Sequence, residues 1–125
     1  MGNTLLGWAA KNGHKGVAEA LLGGKDIDPD KEGDDDQTPL ILAICNRHEG
    51  VVKPLLGLED LDPNKSNDDG RTPLLLAIEN MDEEVVEMLL GREDVNPNKS
   101  DEDGETPLLL AIDNRDEGVV EILLR

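Results

Sequence analysis

Apolar residues in this chain fall into two kinds of cluster that alternate. Within residues 69–102, the run "LLLAI" from Leu74 to Ile78 is apolar nearly all round, so a helix there needs cover on several sides. Thr72 before Pro73 marks its start: a threonine side chain accepts from the free N–H groups of a first turn, and proline fits the first helical position. This helix is expected to end near Asn80. Asp82 opens a second segment, "EEVVEMLLG", whose Val85, Val86, Leu89 and Leu90 make one stripe of a helix. Glu83, Glu84 and Glu87 lie off that stripe, in water, and Gly91 reads as the C-terminal stop. The remainder, "REDVNPNKSDEDG", is turn chemistry, with Asn, Pro, Ser, Asp and Gly packed together.

The same line is written four times. Residues 69–91 and 103–125 share 17 identities in 23 positions, and weaker copies begin with "DQTPLILAICN" at Asp36 and "NTLLGWAAKN" at Asn3. Threonine falls at Thr4, Thr38, Thr72 and Thr106, a period of 34. Two short helices and a polar loop cannot bury "LLLAI" alone, whereas stacked neighbours can, through a core that runs along the array. The pattern therefore predicts an all-α solenoid of four stacked helix-turn-helix units with extended finger loops. It forms one domain over residues 1–125, with units of about 1–34, 35–68, 69–102 and a truncated 103–125.

These residues resemble the ankyrin repeats. The likeness lies in "GRTPLLLA", the helix–turn–helix of about 20 residues, "VVEMLL", and "DVNPN" leading back to "DG", and it covers essentially the whole chain. The 34-residue period and the wording "GREDVNPNKS" look most like arrays in large multidomain proteins of filamentous fungi. Where the family usually has His after Thr-Pro-Leu, this chain has Gly7, Ile41, Leu75 and Leu109, which predicts fewer polar ties between units. The family's interhelix glycine is kept as Gly13 and replaced by Arg47, Met81 and Arg115. If those three keep a left-handed turn, each costs on the order of 1 kcal/mol. The finger between "VN" and "DG" is two residues longer than the common pattern, and the stretch before it one shorter. Pro54 falls inside the second helix of unit two, where a proline costs about 3 kcal/mol and where Gly50, four residues back, is expected to allow a kink. An idealised array would hardly keep it, so the sequence reads as natural. Met1 stands in the slot of Asp69 and Asp103, and Arg125 follows "ILL" where a finger would begin, so the chain is expected to be cut from a longer array.

Charge changes the picture more than composition does. Acidic residues outnumber basic ones 29 to 12, for a net charge of −17, and residues 1–27 carry +1 of it, leaving −18 beyond. An acidic chain with a single aromatic, Trp8, has one mark of disorder. Against that, Leu, Ile and Val supply 34 of the 125 residues and recur in register, so the chain reads as folded. Trp8 matches Leu42, Leu76 and Leu110 and is expected in the core. The negative field disfavours nucleic acid and steers basic partners, although the same charge also serves simply to keep a surface solvated. The apolar runs are too short to span a bilayer, and with no leader visible an intracellular, cytoplasmic place is expected.

Reactive chemistry is sparse. Cys45 follows "LILAI" and is expected to be buried or half-buried and structural. His14 and His48 share a slot at the turn before the second helix, where structural roles are expected, and Cys45 with His48 lacks the further ligands of a metal site. "DPDKEGDDD" places Asp28, Asp30, Glu32 and Gly33 like the start of a calcium loop, but the twelfth position is Pro39 instead of a bidentate glutamate. No catalytic residue, cofactor or metal is expected, and the chain reads as a non-enzyme.

The resemblance implies a protein-binding scaffold, contacted mainly at finger tips and at the exposed ends of first helices. Carried over, these are Asp35, Gln37, Cys45 and Asn46 in unit two, and Asp68, Asp69, Arg71, Glu79 and Asn80 in unit three. Unit four offers Glu102, Asp103, Glu105, Asp113 and Asn114. The expected partner is a protein with a basic or mixed-charge surface, not nucleic acid or membrane, and the uncapped ends are expected to permit end-to-end self-association. The alternative is an architectural or autoinhibitory segment of a larger multidomain signalling protein with no separate partner. A third reading is a stretch of an enzyme whose catalytic domain lies elsewhere.

Overall fold

The computed structural model describes residues 4–24 and 26–125; Met1 and Asn3, named above, lie outside that set with Gly2 and Lys25, as does the side chain of Asp35. Helices come in pairs: α1 (Leu5–Asn12) with α2 (Lys15–Leu22), α3 (Pro39–Cys45) with α4 (Glu49–Leu56), α5 (Pro73–Glu79) with α6 (Glu83–Leu90), and α7 (Pro107–Asp113) with α8 (Glu117–Leu123). Apart from a 3-10 turn over Asp34–Asp36, the described residues form no other regular element.

Each first helix starts where its threonine stands. Thr38, Thr72 and Thr106 accept from the N–H of Ile41, Leu75 and Leu109 at 3.2, 3.1 and 3.2 Å, and Thr4 does the same for Gly7 at 3.0 Å without a following proline. Each first helix ends in one closure. Met81 takes φ 57, its N–H reaching Ile78 O at 2.9 Å while Asp82 N–H reaches Ala77 O at 3.1 Å. That double closure needs one left-handed residue, and glycine fills the role only at Gly13 (φ 73); Arg47 (φ 61) and Arg115 (φ 57) fill it elsewhere. The second helices start less uniformly. Asp82 and Asp116 accept from Val85 and Val119 N–H at 3.3 Å each, whereas His14 and His48 in that slot make no side-chain cap. Helix α4 runs through Pro54, and Gly91 stops α6 with an ordinary right-handed φ of −71.

First helices pack on first helices and second on second along the stack. The core is thus a column filled by Leu40, Ile41 and Ile44, then Leu74, Leu75 and Ile78, with Val51, Val52, Leu55, Val85, Val86 and Leu89 from the second helices. Each such side chain contributes roughly 1.5–3 kcal/mol when fully buried, so the middle units carry most of the stability. Trp8 is not part of that column: it is 57% exposed although Leu42, Leu76 and Leu110 in its slot are buried. The slot faces the preceding unit, and α1 is the first helix of the described residues.

The units are also tied by polar groups at positions other than those of the missing histidines. Asn80 and Asn114 donate through Nδ2 to Ile44 O and Ile78 O of the preceding unit, at 3.0 and 3.1 Å. Arg47 donates to Asn80 O at 2.9 Å, and His48 Nε2 pairs with Lys11 O at 3.1 Å. Lower down, Asp30 accepts from Asp62 N–H at 2.9 Å and Asn64 from Asn96 N–H at 2.7 Å, one rung apart. Arg92 spans furthest, donating to Leu56 O, Leu58 O and Leu61 O at 3.1, 2.7 and 3.0 Å.

Candidate functional site

The fingers of units three and four share one internal brace. Asn67 N–H donates to Arg71 O and Gly70 N–H to Asn67 O, both at 3.0 Å, while Asn67 Oδ1 accepts from Asp69 and Arg71 N–H at 3.0 Å each. Asp101 repeats this one unit on, accepting from Asp103 and Glu105 N–H at 2.9 Å each. A side chain that turns inward to satisfy its own loop leaves the loop's tip to water: Asp68, Asp69, Glu102 and Asp103 are all exposed. Gly70 is needed here on two counts. Its φ is 75, and a Cβ would stand 2.7 Å from Cγ of Glu102 on the next finger. In unit two the matching position is Asp36, held at φ 58, and the tip is the 3-10 turn closed by Gln37 N–H to Asp34 O at 3.2 Å.

In unit three the finger base meets the end of the first helix. Arg71, from the third finger, pairs with Glu79 at the end of α5 and lies 3.5 Å from Asp101 of the next finger. Along the helix ends, Cys45, Glu79 and Asp113 are exposed in one row. Asn46, Asn80 and Asn114 stand beside them, but their amide N–H groups are spent on backbone carbonyls: Asn46 donates to Leu42 O at 2.8 Å and the other two to the unit before. Gln37 and Glu105 are half-buried at the finger bases, and the side chain of Asp35 is outside the described set. Of the fourteen positions, eight are acidic and only Arg71 is basic, itself neutralised by two carboxylates. What remains outward is a ridge of acidic tips. The roles of Asn67, Asp101 and the asparagine row escaped the sequence reading; their recurrence 34 residues apart was the available signal.

Other candidate chemistry resolves into structure. Cys45 is exposed, not buried, because its helix ends there and it points along the row just described; the protein around its sulfur still pushes the thiol up, away from thiolate. The His48 ring fills the space over Gly13, where a Cβ would stand 2.5 Å from Nδ1. In "DPDKEGDDD", Asp28 accepts from Asp30 N–H at 3.0 Å, Asp30 holds the next unit's backbone, and Glu32 pairs with Lys65 at 3.0 Å. Burial, and then the charges of Asp62 and Asp28, raise Asp30 above the usual carboxylate range, partly offset by the Asp62 N–H. Among the described residues no cluster of three or more His, Cys, Asp or Glu is placed to hold a metal, and no helix is long and apolar enough to cross a membrane.

Comparison with known proteins agrees with this geometry. The model for a family described as ankyrin repeats (3 copies) matches residues 1–67 and again 51–125, which together take in the whole chain. No curated protein matches it.

Proposed function

Because this chain belongs to the ankyrin-repeat family, whose members generally bind proteins, we propose that its acidic ridge holds a basic or mixed-charge segment of a partner protein. The observation that carries the reading is the brace at Asn67 and Asp101, which fixes Asp68, Asp69, Glu102 and Asp103 outward in successive fingers. Charges held this way need no reordering when a cation arrives. Exposed pairs contribute roughly 0.2–1 kcal/mol each, so several act together, and their effect falls chiefly on the association rate.

The test is stopped-flow association of a partner captured on the immobilised chain, at low and high salt. Replacing Asp68, Asp69, Glu102, Asp103 and Glu105 by their amides is expected to slow association and flatten its salt dependence, with thermal stability little changed. An on-rate indifferent to both salt and substitutions refutes the reading and leaves the fingers as solubilising loops. The competing reading, a spacer or inhibitory segment of a larger protein, expects no captured partner.

A further inference from the structure

One row of the repeat changes its letter along the fingers: Glu32, Ser66, Ser100, each preceded by a lysine, Lys31, Lys65 and Lys99. In the finger that leads into unit two, the glutamate has a fixed partner. Lys65, from the next finger, donates through Nζ to Asp30 O at 3.1 Å, and the same ammonium stands 3.0 Å from Oε2 of Glu32. Its hydrogen bond to Glu32 is the first cause that holds the Lys65 ammonium above its ordinary value.

One finger on, the lysine is in place and its carboxylate is not. Lys99 Nζ donates to Asn64 O at 3.3 Å, the counterpart of Asp30 O, and Ser66 occupies the slot of Glu32. Among the described residues Lys99 pairs with no carboxylate, and Ser66 Oγ takes part in no hydrogen bond. The backbone there is loosely held: Ser66 is half-buried, and neither Lys65 nor Ser66 makes a backbone–backbone hydrogen bond among the described residues or belongs to a regular element. Asn67, Asp68 and Asp69 follow, with both carboxylates exposed at the braced tip.

We propose that Ser66 is a phosphorylation site for a serine kinase that selects carboxylates after its target, and that Lys99 captures the phosphate across the fingers as Lys65 captures Glu32. In the transfer Ser66 Oγ bonds to the γ-phosphorus of ATP and the bond from that phosphorus to the oxygen bridging to the β-phosphate breaks. ADP leaves, and the hydroxyl proton passes to the base of the kinase. Phosphoserine carries its outer oxygens the same number of bonds from Cα as glutamate does, so it spans the same gap. It also brings about 1.5–2 negative charges and three acceptor oxygens. A tie that is permanent between one pair of fingers thus becomes switchable between the next pair. The site stands whether or not the acidic ridge binds a basic segment.

The test incubates the folded 125-residue chain with magnesium, ATP and a purified kinase of that selectivity, then maps phosphate by mass spectrometry. Ser66 is expected to be modified, and Asp68→Asn with Asp69→Asn to slow the reaction about fivefold or more. In a Ser100→Ala background the phosphate on Ser66 is then titrated by phosphorus NMR. Lys99→Gln is expected to raise its second ionisation by about half a pH unit, because an ammonium favours the dianion. Asp68 and Asp69 oppose the dianion in both proteins, so the difference reads the lysine. Ser66→Glu probes the same gap without a kinase: its Tm relative to Ser66→Gln is expected to fall by about 1–4 °C when Lys99 is also replaced by Gln. The proposal is overturned by a chain that takes no phosphate at Ser66, whether or not Ser100 reacts, or by a phosphate ionisation and a Ser66→Glu melting difference that both ignore Lys99.

Discussion

Met81→Gly is expected to stabilise this protein, and its size can be worked out from the backbone. Met81 closes α5 at φ 57, a region where a side chain costs about 1–2 kcal/mol. Glycine removes that cost but frees the unfolded chain by about 0.5–1 kcal/mol, leaving a net gain of about 0.5–1 kcal/mol. The side chain is 55% exposed, so truncation forfeits little burial. In a domain of this size the gain corresponds to a rise of about 2–5 °C in Tm. Arg115→Gly (φ 57) is expected to behave alike, and the pair to add because the two closures belong to different units. Arg47→Gly is the internal contrast: it relieves φ 61 but loses the bond to Asn80 O, worth about 0.5–1.5 kcal/mol, and is expected to be near neutral. The assay is thermal unfolding by circular dichroism and calorimetry at one protein concentration. Met81→Ala is the decisive control, since alanine keeps the strained φ. A Met81→Ala gain equal to that of Met81→Gly, or a fall in Tm for Met81→Gly, refutes the reasoning.

Two further outcomes follow from side chains that cross between units. Arg92→Ala strips donors from three carbonyls and is expected to cost about 1.5–3 kcal/mol in urea unfolding; Arg92→Lys restores only part, because an ammonium cannot span Leu56, Leu58 and Leu61 together. An Arg92→Ala loss under about 0.5 kcal/mol would show that water replaces the guanidinium at no penalty. Glu49 is held above its ordinary value by desolvation first, then by the neighbouring carboxylates of Glu84 and Asp82. Its proton is thus bound more tightly folded than unfolded, so its contribution is present below the unfolded value and lost as pH rises through the raised one. Acidification from neutral into that window is expected to stabilise the fold, and Glu84→Gln to raise the neutral-pH Tm while flattening that response. A Glu84→Gln profile parallel to wild type in calorimetric melts across pH would place the effect elsewhere.

The repeat period, the threonine caps and the three strained closures were legible in the sequence because each depends on residues within one turn of another. Thr72 reaches Leu75, and Met81 closes on Ile78; no distant neighbour is needed to foresee either. The positions of the candidate site were legible for the same reason, as loop tips and helix ends. Its chemistry was not. That Asn80 and Asn114 spend their amides on the preceding unit, or that Arg71 is claimed by Glu79 and Asp101, depends on partners brought close by stacking. Burial shows the limit most plainly. "PLLLAI" occurs twice with the same letters, yet Leu75 and Ile78 are sealed while Leu109 and Ile112 are each 53% exposed, and Trp8 sits in water in a slot that buries leucine elsewhere. Local pattern decides where a helix forms and which stripe it offers. Whether that stripe is covered, and so stabilises the fold or remains to bind something, is decided by the unit beside it in space.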